Sequence, residues 1–489
     1  MTLKIYNTLG KQKQEFVPLA KGKVKMYVCG PTVYDLLHVG NFRGAIFFNL
    51  VRNWLEYLGY QVTFVYNYTD VDDKIIKRAN EEGISASDLS QRFIQEFEKD
   101  FRSLNLKVHE HTPKCTDHMT DMVTIIRALV DKGKAYEVQG TVFYSIETFE
   151  NYGLLSGKRI TELEVGHRVD PDPRKKNPLD FVLWKPAKEG EPSWDSPWGK
   201  GRPGWHIECS TLSRCYLGDS IDIHGGGIDL IFPHHENEIA QSEAVSGKPF
   251  VSFWMHNNFI QFGDEKMSKS LGNVVKARSF MEKYHPEILK FLMLSVHYRS
   301  PLNFEEDQIR QAMVGLGRIY SALQLADRIL AQATSESKED KKFRTHLAQA
   351  TQYIETALND DFNTPAMFAA IFDVVREFNS FFQAGQPGKK SDLVLSDKAK
   401  AFKEWIKPYG QLTALFQEPA DGFLCGLDKI LINAKGIDVK RVEALVAERQ
   451  KARQNKDFQT ADKVRDELLA MEIIVHDSPT ESTWEVKKG

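Results

Sequence analysis

The chain has 489 residues, of which 42% are hydrophobic and 27% are charged, values typical of a globular protein with several domains. Its formal net charge of −3 excludes binding of nucleic acid through overall basicity, so any such contact has to come from local basic patches. The N-terminal segment MTLKIYNTLG lacks the apolar run of a signal peptide, and no apolar stretch approaches the ~20 residues that a membrane span needs.

The cysteines are scattered along the chain, at positions 29, 115, 209, 215 and 425. They show no paired spacing of a disulfide framework, which favours a reducing compartment. We therefore expect a cytoplasmic protein that is not associated with a membrane.

The N-terminal third begins with a pattern of strand, loop, helix and strand. Residues 25–29 predict a buried strand that ends at a Gly-Pro turn, residues 42–58 have the apolar spacing of a helix, and residues 61–66 predict a second strand. Such a βαβ unit implies a parallel sheet, and such sheets bind ligands at the loop after the first strand.

Further along the chain, helices are predicted over 84–101 and 117–133, and short strands with Pro/Gly/Trp-rich loops over 140–204. The α/β pattern resumes with a strand over 221–224, three glycines and a helix that carries His234 and Glu238. Helices are then predicted over 279–297, over 305–333, up to about 384 and over 396–416, and the tail from about 428 has a helical-hairpin pattern and a strand over 473–475.

These elements predict an α/β fold, in which a Rossmann-like parallel-sheet catalytic domain with an insertion precedes a helical bundle and a small C-terminal domain. The expected bounds are 1–115 and 205–275 for the two halves of the Rossmann-like domain, 116–204 for the insertion, 276–420 for the stem and bundle, and 421–489 for the C-terminal domain.

Two short segments predict a phosphate site. HVGN at residues 38–41 places an imidazole, a glycine and an amide at a predicted helix N-terminus, where backbone N–H groups and the helix dipole attract anions. KMSKS at residues 266–270 adds two ammonium groups and two hydroxyls on a loop. A site that holds a triphosphate while its α-phosphorus is attacked needs such donors from two sides. Alone, each segment is also compatible with a helix cap or a solvated basic loop.

In this order, the two segments resemble the ATP-binding signatures of the class I aminoacyl-tRNA synthetases. The resemblance implies a loop that closes on ATP and Mg²⁺, with lysine charges that offset the charge on the leaving pyrophosphate. The family usually has histidine where this chain has Asn41, and an amide cannot become cationic. The implied ATP-binding residues are Gly30, Pro31, His38, Gly40, Asn41, Lys266, Ser268 and Lys269, and the implied catalytic residues among them are His38, Asn41, Lys266 and Lys269.

Between the signatures lies a potential zinc set. Cys209 is in GWHIECS, and His234 and Glu238 are four residues apart, so a helix would place them on one face. With Cys29 they make a Cys-Cys-His-Glu set, although buried cysteine can also be a small core residue. Together with this set, the signatures resemble the cysteinyl-tRNA synthetase family over nearly the whole chain. The choice of His234 over the neighbouring His235 rests on that resemblance.

A zinc ion also accounts for the choice of amino acid. A pocket that measures only size discriminates by ~1–3 kcal/mol. Zinc binds a thiolate directly and lowers the thiol pKa, whereas the serine hydroxyl is a harder and weaker ligand. We therefore expect one zinc ion per chain, which selects the side chain and hydrolyses nothing.

The resemblance also implies roles around these motifs and in the tail. It assigns the orientation of the substrate amine and carboxylate to residues that are equally compatible with capping or core positions, namely Thr69, Trp205, His224 and Asp229. It places anticodon recognition in residues 421–489, where a solvated helical hairpin is the alternative. The residues expected to face phosphate or stack on a base there are Arg449, Lys451, Arg453, Lys456 and Trp484.

The predicted function is the ATP-dependent ligation of L-cysteine to tRNA(Cys) through cysteinyl-adenylate, by a monomer. A related cysteine ligase with a small amine or amino-sugar acceptor would keep the signatures and the zinc set, but it would not need the C-terminal tail with its scattered basic residues. A catalytically silent zinc protein that binds RNA would not need KMSKS.

Overall fold

The computed structural model describes residues 2–158, 172–263, 265–266, 274–332, 338–383, 389–477 and 482–487. The chain divides into two compact units. The first comprises Met1–Arg278, Met293–Phe304 and Gln352–Met367, and the second comprises Ser279–Leu292, Glu305–Thr351 and Phe368–Gly489.

The first unit is built around a parallel sheet. A short hairpin of β1 (Lys4–Asn7) and β2 (Gln12–Glu15) precedes it. Strand β3 (Lys23–Val28) leads through helix α1 (Val39–Tyr57) to strand β4 (Gln61–Tyr66), which pairs with β3 in parallel. The predicted βαβ unit is confirmed, and its helix begins at Val39 rather than at residue 42.

Three helices follow β4, namely α2 (Asp73–Glu82), α3 (Ala86–Ser103) and α4 (Met119–Asp131). The side chains of Asp72 and Ser85 cap α2 and α3, because each accepts a hydrogen bond from a backbone N–H in the first turn. Asp72, in the segment TDVDD at residues 69–73, thus supplies a helix cap.

The predicted insertion is an antiparallel sheet. Its strands are β5 (Ala135–Val138), β6 (Thr141–Tyr144), β7 (Phe181–Pro186) and β8 (Gly201–Pro203), in that spatial order.

The parallel sheet resumes after the insertion, through α5 (Trp205–Leu217), β9 (Ile221–Gly227), α6 (Glu236–Ser246) and β10 (Val251–Asn257). The strand order is β10-β9-β3-β4, and all four strands are parallel. The chain adds β4 on one side of β3 and later adds β9 and β10 on the other side, so the order of the strands reverses between β3 and β9. Strand β9 continues through the glycines that were predicted to follow it. At Gly225 a Cβ would lie 2.2 Å from the Phe48 ring, so glycine allows α1 to pack closely on this strand.

A second small sheet, in the order β12-β11-β13, follows β10 in the chain. It consists of β11 (Ile260–Phe262), β12 (Glu265–Lys266) and β13 (Leu302–Asn303). Between β12 and β13 lie α7 (Ala277–Lys283) and α8 (Pro286–Leu294). The single helix predicted over 279–297 is therefore wrong, because Pro286 disfavours the helical conformation of the residue before it.

The second unit consists mainly of helices. The helices from residue 306 onward are α9 (Glu306–Gln332), α10 (Lys341–Asn359), α11 (Thr364–Gln383), α12 (Lys389–Thr413), α13 (Ala420–Lys435), α14 (Val439–Gln454) and α15 (Phe458–Ala470), of which α10 and α11 also contribute to the first unit. A hairpin of β14 (Ile473–Asp477) and β15 (Ser482–Val486) ends the unit. The predicted helical hairpin and terminal strand of the tail are confirmed. Within the described residues, no helix has the length and apolar character that crossing a bilayer requires.

Candidate active site

A cleft of about 550 Å³ lies in the first unit, beside the carboxyl ends of β3 and β9. This is the point at which the strand order reverses, where open α/β sheets bind their ligands. The sequence-predicted residues that line the cleft are Cys29, Gly30, Pro31, His38, Gly40, Asn41, Trp205 and Asp229. The first signature, one predicted zinc ligand and part of the predicted substrate set therefore meet in one cavity.

His38 and Asn41 form the N-terminal cap of α1. The backbone N–H of His38 donates to Oδ1 of Asn41 at 3.1 Å, and the backbone N–H of Asn41 donates to the His38 carbonyl at 3.0 Å. Because its amide oxygen serves the cap, Asn41 offers the cleft a neutral NH₂ donor beside a helix N-terminus that attracts phosphate.

Gly30 allows the ends of β3 and β4 to approach closely. Its N–H donates to Oδ1 of the buried Asn67 at 3.0 Å, and a Cβ at this position would lie 1.6 Å from the Asn67 carbonyl oxygen. A backbone atom cannot move aside as a flexible side chain can, so only glycine fits here without displacing a strand.

We expect Gly30→Ala to destabilise the protein by about 1–3 kcal/mol, the usual range for overpacking, and to lower the midpoint of thermal unfolding. Gly426→Ala is the matched control, because a Cβ there has no neighbouring atom within 4 Å. Helix propensity predicts that this control is stabilised by up to ~1 kcal/mol. Equal midpoints for Gly30→Ala and the unchanged protein would contradict the steric argument.

The KMSKS segment is flanked on both sides by backbone pairing. Before it, Lys266 pairs with Gln261 in β11–β12. After it, the Val275 carbonyl accepts from the Val39 N–H at 3.0 Å, so the chain leaves the segment beside the first signature. Ser268, Lys269 and the side chain of Lys266 lie outside the described residues.

The four predicted metal ligands come together. Cys29 Sγ lies 3.6 Å from Cys209 Sγ, 3.5 Å from His234 Nε2 and 3.6 Å from Glu238 Oε1. His234 Nε2 lies 3.0 Å from Glu238 Oε1. Cys29 follows β3, Cys209 is in α5 and Glu238 is in α6. His234 lies in the helical turn Ile231–His235 that leads into α6, after a kink at Phe232, so the predicted helix that carries both residues is confirmed.

This donor set fits zinc. Zinc–sulfur bonds of about 2.3 Å and zinc–nitrogen or zinc–oxygen bonds of about 2.0–2.1 Å give tetrahedron edges of roughly 3.3–3.8 Å. The measured separations of 3.0–3.6 Å between these donor atoms match the edges of such a tetrahedron to within a few tenths of an ångström.

His235 belongs to a second potential set, which also contains Cys29, His224 and Glu238. Its Nε2 lies 3.4 Å from Cys29 Sγ but 3.9 Å from Glu238 Oε1. Its Nδ1 lies 2.7 Å from Nε2 of His256. The shorter contact between His234 and Glu238 favours His234 as the ligand, and His235 is then a neighbour within the same buried cluster.

The protonation equilibria of the cluster also fit a cation. Burial raises the pKa of the Cys29 thiol, whereas the hydrogen bond from Cys29 lowers the pKa of Cys209 to about 6. Burial disfavours a charged His234, but Glu238 and Cys209 together outweigh burial and raise the His234 pKa to about 10. Burial likewise opposes ionisation of Glu238, yet His224 and His234 lower its pKa to about 2. Near pH 7 a thiolate at Cys209 and the Glu238 carboxylate thus face a protonated His234, and a bound metal ion would replace that proton as their positive partner.

The four predicted substrate residues occupy two different layers. Trp205 and Asp229 line the cleft, and the Trp205 side chain, 41% exposed, stacks on His234 with ring centroids 4.1 Å apart. Thr69 and His224 are buried behind it. Thr69 donates to Glu208 Oε2 at 3.2 Å, and His224 Nε2 lies 2.8 Å from Glu238 Oε2. These contacts are with other buried side chains, and a role of Thr69 and His224 in substrate binding stays a prediction.

Sequence reasoning missed Asn67 and His206. Asn67 holds the N–H of Gly30, and His206 Nδ1 lies 2.9 Å from His234 Nδ1, on the side of the ring away from Cys29. Contacts of this kind fix the orientation of a metal-binding imidazole. A polar residue directly after a buried parallel strand was an available signal for Asn67.

In the tail, one expected phosphate contact is wrong. Arg449 is only 6% exposed, because it lies on the apolar stripe of α14 with Val442 and Val446. Lys451, Arg453 and Lys456 are exposed. Phe458, at the start of α15, is 64% exposed and was not predicted.

The chain matches three protein-family models. These are the catalytic domain of class I (C) tRNA synthetases over residues 15–314, the DALR domain over 354–413 and the anticodon-binding domain of cysteinyl-tRNA ligases over 439–484. The fold is similar to that of a methionyl-tRNA synthetase from Mycobacterium tuberculosis solved with methionyl-adenylate. The TM-score is 0.63 at 15% identity, over 82% of this chain and 93% of that one. Fold and site thus define a class I aminoacyl-tRNA synthetase.

Two curated relatives extend over the full length. The cysteine–tRNA ligase of Bdellovibrio bacteriovorus is 52% identical, over 99% of this chain and 100% of its own length. That of Geobacter metallireducens is 44% identical over 100% of both chains. The chain belongs to the cysteine–tRNA ligase family, whose members are enzymes that join cysteine to tRNA.

Proposed function

We propose that the chain activates L-cysteine with ATP and Mg²⁺ to cysteinyl-adenylate and transfers the cysteinyl group to the 3′ end of tRNA(Cys), as a monomer in the cytoplasm. One observation carries the proposal. Cys29 and Gly30 are consecutive at the end of β3 and both line the cleft, so the metal set and the nucleotide site share one wall. An amino acid held by its sulfur therefore has its carboxylate within the cavity that holds the phosphates.

Cysteine selection is assigned to Cys29, Cys209, His234 and Glu238, which would hold zinc. When bound, zinc supplies a thiophilic Lewis acid that binds the substrate thiolate and discriminates against serine. Asp229 would accept hydrogen bonds from the substrate ammonium group, and Trp205 would cover one face of the His234 ring. His224 and Thr69 position Glu238 and Glu208 from behind.

Adenylate formation needs no protein nucleophile. The cysteine carboxylate attacks the α-phosphorus in line, and pyrophosphate leaves. Gly30, Pro31 and Gly40 would let the nucleotide lie against the backbone, and His38 and Asn41 would donate to its phosphates. Lys266 and Lys269, with Ser268, would offset the charge that develops on the pyrophosphate. In the second step, a terminal ribose hydroxyl of tRNA attacks the activated carbonyl carbon, and AMP leaves.

The proposed domains divide the chain between catalysis and tRNA binding. Residues 1–115 and 205–275 would form the catalytic domain, with 116–204 as its insertion and 276–420 as the stem and bundle. Residues 421–489 would bind the anticodon. There, Lys451 and Arg453 lie in the last turn of α14, and Lys456 follows the helix. The exposed ring of Phe458 joins Trp484 as a candidate for base stacking.

The test combines two assays on the full-length protein. ATP–pyrophosphate exchange that depends on cysteine is expected, and so is aminoacylation of purified tRNA(Cys). Exchange without aminoacylation would favour the rival ligase with a small acceptor. Absence of both activities in zinc-loaded protein would favour the silent RNA-binding protein.

The tail contributes exposed positive charges, and the salt dependence of tRNA binding should show whether they neutralise phosphates. Replacing Lys451, Arg453 and Lys456 with alanine should weaken tRNA binding. The plot of the logarithm of the tRNA association constant against the logarithm of salt concentration should become less steep, by about one unit of slope for each phosphate that is no longer neutralised. Exchange should be unchanged, because the described cleft residues lie in the first unit.

The matched control for this experiment is the pair Lys341→Ala and Lys342→Ala, which removes exposed charge from α10 instead. Its salt slope is expected to equal that of the unchanged protein. Equal slopes for the control and the triple variant would remove the phosphate role of the tail.

A further inference from the structure

A second group of potential metal ligands lies outside the cleft. In the described part of the chain, His118, Asp121 and Cys215 each offer a donor atom, and these atoms lie within 4.8 Å of one another. His118 and Asp121 stand at the start of α4, and Cys215 is in the last turn of α5. His118 Nδ1 lies 2.9 Å from Asp121 Oδ2. Donors from two separate helices thus converge on one point.

The His118 ring is held in the orientation that a ligand needs. Its Nε2 lies 3.1 Å from the Tyr216 hydroxyl, and the two rings meet edge to face with centroids 5.5 Å apart. Metal-binding imidazoles usually make a hydrogen bond through the second ring nitrogen, which fixes the first towards the ion. Tyr216 provides that contact, and Nδ1 is directed towards Asp121.

We propose that His118, Asp121 and Cys215 bind a second divalent ion of the zinc type, with water as the fourth ligand. The 2.9 Å separation of the His118 and Asp121 donors is close to the roughly 3.3 Å edge of a zinc tetrahedron. A thiolate and an imidazole select borderline ions such as Zn²⁺ and Co²⁺ over Mg²⁺ and Ca²⁺. The Asp121 side chain is 52% exposed, so water reaches the open position.

Such an ion would link the C-terminal turn of α5 to the start of α4. Helix α5 begins with Trp205 at the cleft and carries Cys209, so the link would fix the far end of a helix that serves the active site. The role is structural, and it does not depend on the proposed function.

The experiment is a titration of the full-length protein, carrying one equivalent of zinc, with Co²⁺. Near-ultraviolet absorption and thermal unfolding are recorded at each step. One further equivalent of Co²⁺ should bind, with a thiolate-to-cobalt absorption band and a higher unfolding midpoint. Cys215→Ser should remove the part of the band that this site contributes, together with the rise in the midpoint. Tyr216→Phe should weaken binding by about 10-fold, the scale for removal of a group that orients a ligand.

Cys425→Ser is the matched control, because Cys425 is also exposed but belongs to the second unit. It should bind Co²⁺ as the unchanged protein does. Cobalt that displaces zinc at Cys29 and Cys209 would absorb equally in Cys215→Ser, so only the difference between the variants measures the second site. An absorption band that Cys215→Ser leaves intact, or that Cys425→Ser reduces equally, would overturn the proposal.

Discussion

Replacing Cys209 by serine is expected to remove one equivalent of zinc from the purified protein and to weaken cysteine binding by ~10²-fold or more. Loss of a residue that only orients a ligand costs 10–100-fold in metal affinity, and loss of a ligand should cost at least the upper end of that range. ATP binding should change little, because Cys209 is buried behind Cys29 and does not line the cleft. Elemental analysis and calorimetric titration with each substrate measure the three quantities.

Two histidine variants refine this result. His234→Ala should lose zinc, whereas His235→Ala should retain it, because His234 has the shorter contact with Glu238. Cys425→Ser, an exposed cysteine in the other unit, serves as the control with full zinc content. Active protein without zinc would refute the explanation of selectivity. Zinc loss in His235→Ala but not in His234→Ala would mean that His235, and not His234, is the ligand.

Lys269→Ala is expected to slow adenylate formation by ~10²-fold or more, the scale for removing one preorganised group that stabilises charge in a transition state. Cysteine affinity should barely change, because the proposed sulfur site is formed by other residues. ATP–pyrophosphate exchange at saturating cysteine measures the effect.

Lys276→Ala is the matched control for that experiment. Lys276 is an exposed lysine close in sequence, and its backbone forms a bridge to His38. Its exchange rate should stay near that of the unchanged protein. An unchanged rate for Lys269→Ala would mean that the KMSKS segment of this chain does not contribute to the chemistry.

Local patterns predicted most of the fold. The apolar spacing over residues 42–58 and the buried strand over 61–66 are set by neighbours in sequence, and the βαβ unit they form matches the structure. The single helix predicted over 279–297 failed because Pro286 was not weighed against the apolar spacing. The kink before the turn that carries His234 was not predicted either, and Phe232 there has extended backbone angles before Pro233.

The layers of the site could not be predicted in the same way. Thr69 and His224 stand beside motif residues in sequence, but their burial depends on strands and helices that are distant in the chain.

The burial of Arg449, in contrast, could have been predicted from the sequence. This residue lies three residues after Val446 and seven after Val442, on the apolar face of a helix, so periodicity should have outweighed its charge.

The position of β3 in the sheet has a consequence for the synthesis of the chain. One of its edges pairs with β4, which ends at Tyr66, but the other pairs with β9, whose paired residues begin at Ile223. The ribosome therefore adds about 160 residues between the two partners, which takes roughly 8–30 s at ~5–20 residues per second. Throughout that time one edge of β3 has no native partner, and an open edge is a template for wrong pairing with other chains. Formation of the cleft is thus a late event, and the nascent N-terminal half carries an open strand edge at which aggregation can start.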